Sequence, residues 1–242
     1  MSEPLLRLEG VFADIEQYHI LQGVDLEAPA GQVTMLLGRN GAGKTTTLRT
    51  IMGLWRARQG RILLEGRDIA ALPTPVIARA GVSLVPENMG VFSDLTVEEN
   101  MVLAAVSGPL DAARLEWIFS VFPPLKTFWK LPAGNLSGGQ KQMLSVARAV
   151  CEERRLYLID EPSKGLAPAI VGTLVRALKD LKAAGATILL VEQNFSMARA
   201  LGDHAAVMDD GKIVWSGAMA TLSADAALQE KLMGLSMEGG HG

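Results

Sequence analysis

The chain has 242 residues and a formal net charge of −3, which leaves no strong basic field of the kind that nucleic-acid binding uses. Its length suits one sizeable α/β domain with insertions and is too short for two fused copies of such a unit. A single cysteine, Cys151, excludes an internal disulfide. No apolar run reaches the ~20 residues that span a bilayer, and Met1-Ser2-Glu3-Pro4 lacks the basic start of a signal peptide, so a membrane role requires a partner.

Residues 5–12, 24–28 and 61–65 alternate or are β-rich and are broken by Gly23, Gly31 and Gly66, which predicts an antiparallel β subdomain. Residues 33–37 read as a buried strand and residues 45–52 as a helix. Between them lies Gly38-Arg39-Asn40-Gly41-Ala42-Gly43-Lys44-Thr45, with Thr46 next, a match to the pattern GxxxxGK[ST]. In that pattern backbone N–H groups and a helix N-terminus cradle the phosphates of a nucleoside triphosphate. The lysine adds a point charge and the threonine hydroxyl a ligand for Mg²⁺. An ordinary glycine turn before a helix has no need of Lys44 or Thr45.

A strand follows at residues 81–85, and from Glu87 to Asn135 the pattern turns helical, one helix opening at residues 95–99 and another covering 111–122 before Pro123-Pro124 stops it. Phe92, Trp117, Phe119, Phe122, Phe128 and Trp129 all lie in this stretch. Core packing is the plainer reading of these rings, and a groove for a partner's helix the sharper one. Leu136-Ser137-Gly138-Gly139-Gln140 then opens a further helix. Ser137 and Gln140 have the spacing of a capping box, and the bare amides of Gly138 and Gly139 beside a serine hydroxyl make an anion seat; both readings hold together. Residues 156–159 are apolar enough for a strand buried on both faces. That strand sets Asp160 and Glu161 at its C-terminal edge, the first placed for Mg²⁺ and the second to polarise an attacking water. A helix over 171–184, a turn at Gly185 and a strand over 187–191 come next, then a hairpin of 207–208 with 213–215 across Asp209-Asp210-Gly211-Lys212. Residues 238–242 read as a frayed tail, His19, His204 and His241 have no metal-ligand spacing, and Cys151 reads as a small buried apolar residue.

In these residues the chain resembles the nucleotide-binding subunits of ABC transporters across essentially its whole length. Gly38 to Thr45 looks like the family's Walker A, Leu136 to Gln140 like its signature motif, and Leu156 to Glu161 like its Walker B with the catalytic glutamate. More narrowly, Val85-Pro86-Glu87, the run from Glu161 to Pro168, and Val191-Glu192-Gln193-Asn194 resemble the importers of branched-chain amino acids, whose wider group takes up hydrophobic amino acids, amides and urea.

The resemblance implies an α/β fold of ABC ATPase type: a P-loop NTPase (RecA-like) core with an antiparallel β subdomain and an α-helical insert. Residues 1–87 and 150–242 would form the core, and 88–149 the helical part. It implies ATP and Mg²⁺ as cofactors, held by Gly38 to Thr46 and, from a neighbouring copy of the fold, by Ser137, Gly138, Gly139 and Gln140. Thr45, Asp160 and Glu87 would face the metal, with Glu161 and Gln193 catalytic. Gln193 stands where most members carry a switch histidine, Glu87 where most carry glutamine, and Ala167 where most carry aspartate, as in the importer subgroup. By spacing, the adenine-stacking position is Ile15, with Phe12 and Tyr18 nearby.

The implied partners are a second ATP-binding subunit, different or identical, transmembrane permease subunits and, indirectly, a periplasmic solute-binding protein, with no nucleic acid. The implied location is the cytoplasmic face of a bacterial inner membrane. Two other readings remain at this stage. The chain could be an ATP-gated clamp with little hydrolysis of its own, favoured by Gln193, Glu87 and Ala167 and opposed by Glu161. It could also be an ABC ATPase acting on DNA or ribosomes, although the stretch from Lys44 to Ser137 leaves no room for a long coiled coil.

Overall fold

The computed structural model describes residues 3–233, so the expected tail at 238–242 and His241 lie outside the described residues. Strand β1 (Leu6–Ile15) and strand β2 (Tyr18–Ala28) form a long antiparallel hairpin running from the pair Leu6 and Ala28 to the pair Ile15 and Tyr18. Leu6, Leu8, Val11 and Ala13 are buried and the residues between them are not, as a strand with one face on a core demands. Both strands outrun the segments expected at 5–12 and 24–28. Gly23 does not break β2: it sits inside the strand at φ +88°, where an added Cβ would lie 3.2 Å from the Phe12 ring. The glycine marks an irregularity that makes room for an aromatic, not an end.

Strand β3 (Val33–Leu37) is buried at all five positions and leads through the glycine-rich loop into α1 (Lys44–Ile51). Strand β4 (Ala57–Leu64) begins earlier than the expected 61–65 because it pairs along β1, and a tight turn at Glu65 and Gly66, both at positive φ, returns it to β5 (Arg67–Asp68). These strands make one sheet in the order β2-β1-β4-β5. After α2 (Thr74–Arg79) comes β6 (Val82–Val85), and then four α-helices, with a short 3₁₀ helix (Ala133–Asn135) before the last of them.

The first, α3 (Val97–Ala104), starts on a capping box in which Thr96 Oγ1 accepts from the Glu99 N–H and the Thr96 N–H donates to Glu99 Oε2. Buried Asn100 donates to the carbonyls of Phe92 and Thr96, pinning the loop before this helix. Helix α4 (Ala112–Val121) is capped by Asp111. Pro123 and Pro124 end it as expected but also open α5 (Pro123–Thr127), because a proline in a first turn lacks only an N–H that would have had no partner. Helix α6 (Gly138–Val150) is the longest of the four.

The remaining elements are β7 (Leu156–Asp160), α7 (Pro168–Ala183), β8 (Thr187–Val191), α8 (Phe195–Leu201), β9 (His204–Asp209), β10 (Lys212–Ala218), α9 (Met219–Ala224) and α10 (Ala226–Met233). The second sheet has the order β10-β9-β3-β8-β7-β6, parallel except for β10 at its edge. The four expected core strands are all in it. The hairpin expected at 207–215 is present, and its first strand is also the parallel neighbour of β3. One apolar core lies between this sheet and α6, α7 and Phe122; the other joins its opposite face to α1 and the β1–β2 hairpin. The C-terminal ends of β3, β7 and β8 therefore open side by side, where parallel sheets place their ligands.

Candidate functional site

The loop after β3 has a shape only glycine permits. Gly38 is at φ +144°, and an added Cβ would stand 2.2 Å from the Met208 carbonyl oxygen; Gly43, at φ +108°, is pressed against Leu21 and Met208. The β9–β10 turn, with Asp210 and Gly211 at positive φ, props this loop from behind. The Gly211 N–H donates to the Ala42 carbonyl at 2.9 Å and the Gln22 N–H donates to the Gly211 carbonyl at 2.9 Å, so one turn ties the loop to β2. Lys44 is buried and folds back over its own loop, donating to the carbonyls of Gly38 at 2.9 Å and Arg39 at 3.0 Å. Burial holds the Lys44 ammonium below its ordinary pKa, against the raising pull of Glu161, Asp160 and Glu87.

Two carboxylates meet this loop from β7. Asp160, at the strand end, accepts from Thr45 Oγ1 at 3.1 Å. Burial pushes its carboxyl up to about 6, the bond from Thr45 opposing this and the negative charges of Glu161 and Glu87 adding to it. Glu161 follows in the left-handed region at φ +45°, a strained setting for a residue with a Cβ, fixed by its N–H donating to the Val191 carbonyl at 2.9 Å. Its Oε1 accepts from Gln193 Nε2 at 2.7 Å and lies 3.8 Å from Lys44 Nζ, while its Oε2 lies 3.6 Å from Lys164 Nζ. Gln193 Nε2 also donates to Asn40 Oδ1 at 2.7 Å, so this side chain bridges the glycine loop and the carboxylate.

The motifs assign no role to Glu192 or Lys164. Glu192 is 2% exposed and accepts from the Ser163 N–H and hydroxyl, both at 2.9 Å, and from the N–H groups of Gln193 and Asn194. One buried carboxylate thus fixes both turns that carry Glu161 and Gln193, and its charge is met by four donors. Lys164 Nζ donates to Glu87 Oε1 at 2.6 Å. The only prior signal for either residue was a charge placed next to a buried strand or a glycine turn.

A cleft of about 400 Å³ gathers Asn40, Lys44, Thr45, Thr46, Glu87 and Glu161, with Ile20 on its wall. Glu87 is on an exposed loop held from α6 by Ser145 Oγ, which donates to the Met89 carbonyl at 2.7 Å, and by Arg148, which donates to the Gly90 carbonyl. It bonds to Lys164 and not to Thr45 or Asp160. Ser137, Gly138, Gly139 and Gln140 are not in the cleft wall. Ser137 Oγ accepts from the Gln140 N–H and Gln140 Oε1 from the Ser137 N–H, the capping box foreseen; Gly138 faces open space and Gly139 packs on Ile170 of α7.

Ile15, Phe12 and Tyr18 are likewise absent from that wall, with Tyr18 60% exposed and Phe12 beneath Arg58. Among the six rings of the helical stretch, Phe122 is fully buried, Phe119 and Trp129 meet edge to face at 5.0 Å, and Phe92 alone is exposed. Cys151 is buried and its thiol is pushed up to about 11 by that burial. His19 is paired with Asp14 at 2.7 Å, and His204 starts β9.

Chemically, Thr45 and Asp160 offer hard oxygens, a donor set that fits Mg²⁺, an ion that keeps waters and takes substrate phosphate oxygens besides one or two protein ligands. Among the described residues no three His, Cys, Asp or Glu side chains are gathered into a metal cage, and no helix is long and apolar enough to cross a membrane. The cleft thus presents a glycine loop, a buried ammonium, the Thr45 hydroxyl backed by buried Asp160, and a second carboxylate, Glu161, beside them. That is equipment for holding a polyphosphate and activating a water next to it.

Residues 21–164 match the family model described as ABC transporter. The chain belongs to the ABC transporter family. It is 38% identical over 216 residues to the high-affinity branched-chain amino acid transport ATP-binding protein BraG of Pseudomonas aeruginosa, a match spanning 88% of this chain and 93% of that one. It is 33% identical over 237 residues to the probable branched-chain amino acid transport ATP-binding protein LivF of Archaeoglobus fulgidus, spanning 96% of this chain and 99% of the other. A solved structure described as the ATP binding subunit of an ABC transporter superposes with a TM-score of 0.81 at 29% identity, over 97% of this chain and 96% of that chain. The α/β arrangement described above is therefore the ABC ATP-binding cassette, and this chain is an ATP-binding subunit with relatives among the branched-chain amino acid importers.

Proposed function

We propose that this ABC subunit hydrolyses ATP at an interface with a second ATP-binding subunit and so drives uptake of branched-chain or other hydrophobic amino acids through transmembrane permease subunits. In this reading it sits at the cytoplasmic face of a bacterial inner membrane and receives its solute indirectly from a periplasmic binding protein. The supporting observation is the meeting of Lys44, Thr45, Asp160, Glu161 and Gln193 at the ends of three parallel strands. The loop from Gly38 to Thr46 holds the phosphates, and Lys44 exchanges its own carbonyl partners for phosphate oxygens. Glu161 accepts the proton of the attacking water, and Gln193 donates to the transferred phosphoryl group. Thr45 and Asp160, with Glu87 nearby, would hold Mg²⁺, which supplies charge neutralisation at the β- and γ-phosphates when bound.

Ser137, Gly138, Gly139 and Gln140 act on the nucleotide of the opposite subunit, which fits the exposure of Ser137 and Gly138 and the absence of all four from this chain's own cleft wall. The bridging γ-phosphate is then the contact that favours the closed pair, and its loss releases the clamp. The membrane subunit's helix would dock in a groove of about 270 Å³ beside the Glu87 loop, lined by Pro86, Met89, Ala104, Val106 and Arg148, with Phe92, Val102 and Leu103 exposed nearby. The domain division at 1–87, 88–149 and 150–242 belongs to this same reading.

One observation favours the alternative of a clamp with little hydrolysis: Glu161 is already engaged by Gln193, Lys44 and Lys164. Glu161→Gln separates the two readings in the reconstituted transporter, with the partner ATPase's P-loop lysine replaced so that only this chain's P-loop is active. A fall in ATP turnover of about 10²–10⁴ is expected for loss of the general base. Unchanged turnover would remove the hydrolytic assignment.

A further inference from the structure

We infer that Lys164 is a positioning residue of the cleft: its ammonium, set between Glu87 and Glu161, is the counter-charge that lets an acidic pocket admit a polyphosphate. The inference rests on the reading of the cleft as a nucleotide site. Three carboxylates, those of Glu87, Asp160 and Glu161, act on Lys44, and without Lys164 that one buried ammonium would face all of them. An entering ATP carries about four negative charges of its own and would meet that field at short range.

Lys164 is built for this task at its base and its tip alike. Its backbone N–H donates to the Glu161 carbonyl at 3.2 Å, and the preceding Ser163 is anchored twice on buried Glu192. The side chain is 59% exposed, with Nζ 2.6 Å from Glu87 Oε1 and 3.6 Å from Glu161 Oε2. A compact ammonium on a four-carbon stem can therefore leave one carboxylate for a phosphate oxygen without any backbone shift. Its departure from Glu161 frees Oε2, the oxygen that Gln193 does not hold. Lys44 is buried inside its loop, and it is Lys164 that bonds Glu87.

The test is ATP binding to the full chain in excess EDTA, followed by calorimetry at low and at high salt, so that neither metal nor turnover enters the readout. Lys164→Met is expected to weaken binding roughly five- to tenfold at low salt, with the gap narrowing as salt screens the exposed charges. Lys164→Arg should keep parental affinity. Glu87→Gln should gain more affinity in the Lys164→Met background than in the parent, the signature of two coupled charges. Parental affinity in Lys164→Met, or equal gains from Glu87→Gln in both backgrounds, would overturn the inference. Lys44→Met tests the underlying reading separately: if it binds ATP like the parent, the cleft is not the nucleotide site and the inference falls with it. If it loses binding while Lys164→Met does not, only the role of Lys164 is wrong.

Discussion

Asp160 carries a cost that its fold must offset elsewhere. Burial at the end of β7 raises its pKa to about 6 from an ordinary 3.8, so between those values the native chain binds a proton that the unfolded chain releases. Stability contributed by this group is therefore greatest below about pH 4 and declines as pH rises through about 6. The loss amounts to roughly 3 kcal/mol at about 1.36 kcal/mol per pKa unit. Asp160→Asn keeps the shape and removes the charge. The nucleotide-free variant is expected to be more stable than the parent near pH 7 and to lose this part of the pH dependence, as denaturant titrations at pH 4.5 and pH 7 would measure. It should also lose Mg²⁺-dependent nucleotide binding, a trade of stability against function typical of binding sites. A parent-like midpoint at pH 7 would mean that the Thr45 bond already compensates the buried charge.

At the scale of elements, the β9–β10 hairpin is the least obvious support of the site. Its turn residue Gly211 bonds on one side to Ala42 of the glycine loop and on the other to Gln22 of β2, and an added Cβ would lie 2.2 Å from the Ile20 carbonyl oxygen. Gly211→Ala therefore meets both backbone strain at φ +73° and a collision with main chain. We expect it to lower stability by about 2 kcal/mol or more, on the scale of strained backbone sites, and to weaken ATP binding through the displaced loop. Urea unfolding and nucleotide titration on one preparation would check both effects. The hairpin itself was legible in the sequence, because an Asp-Gly turn between apolar residues is a local signal. Its partners were not, since β9 lies beside β3 through pairing across about 170 positions of chain. The same divide separates Lys44, Thr45 and Asp160, whose places at the strand ends follow from motifs, from Glu192 and Lys164, whose contacts arise only once β7 and β8 lie together. Gly23 misled for a related reason: a glycine that ends a strand and one that admits a ring look alike until the ring is placed.

Over the whole molecule, the two glycine turns stand in different settings. The loop at Gly38 is braced from three elements and encloses Lys44, whereas the turn at Ser137 stands exposed at the start of α6, with open space where a Gly138 side chain would go. Helix α6 also reaches the Glu87 loop through Ser145 and Met89, so what touches its exposed end is joined mechanically to the rim of the cleft. This layout gives Gly138→Asp two opposed effects. In the isolated chain a carboxylate in the first turn of a thirteen-residue helix interacts favourably with the positive helix end, so melting should be unchanged or slightly raised, by about 0.3–1 kcal/mol at low salt. In the assembled pair the same carboxylate would occupy the anion seat and repel the partner's γ-phosphate. ATP-dependent association, followed by analytical ultracentrifugation of the Glu161→Gln chain with its partner ATPase subunit, should then be lost. Association at parental strength would show that the Ser137 turn faces no phosphate and caps its own helix alone.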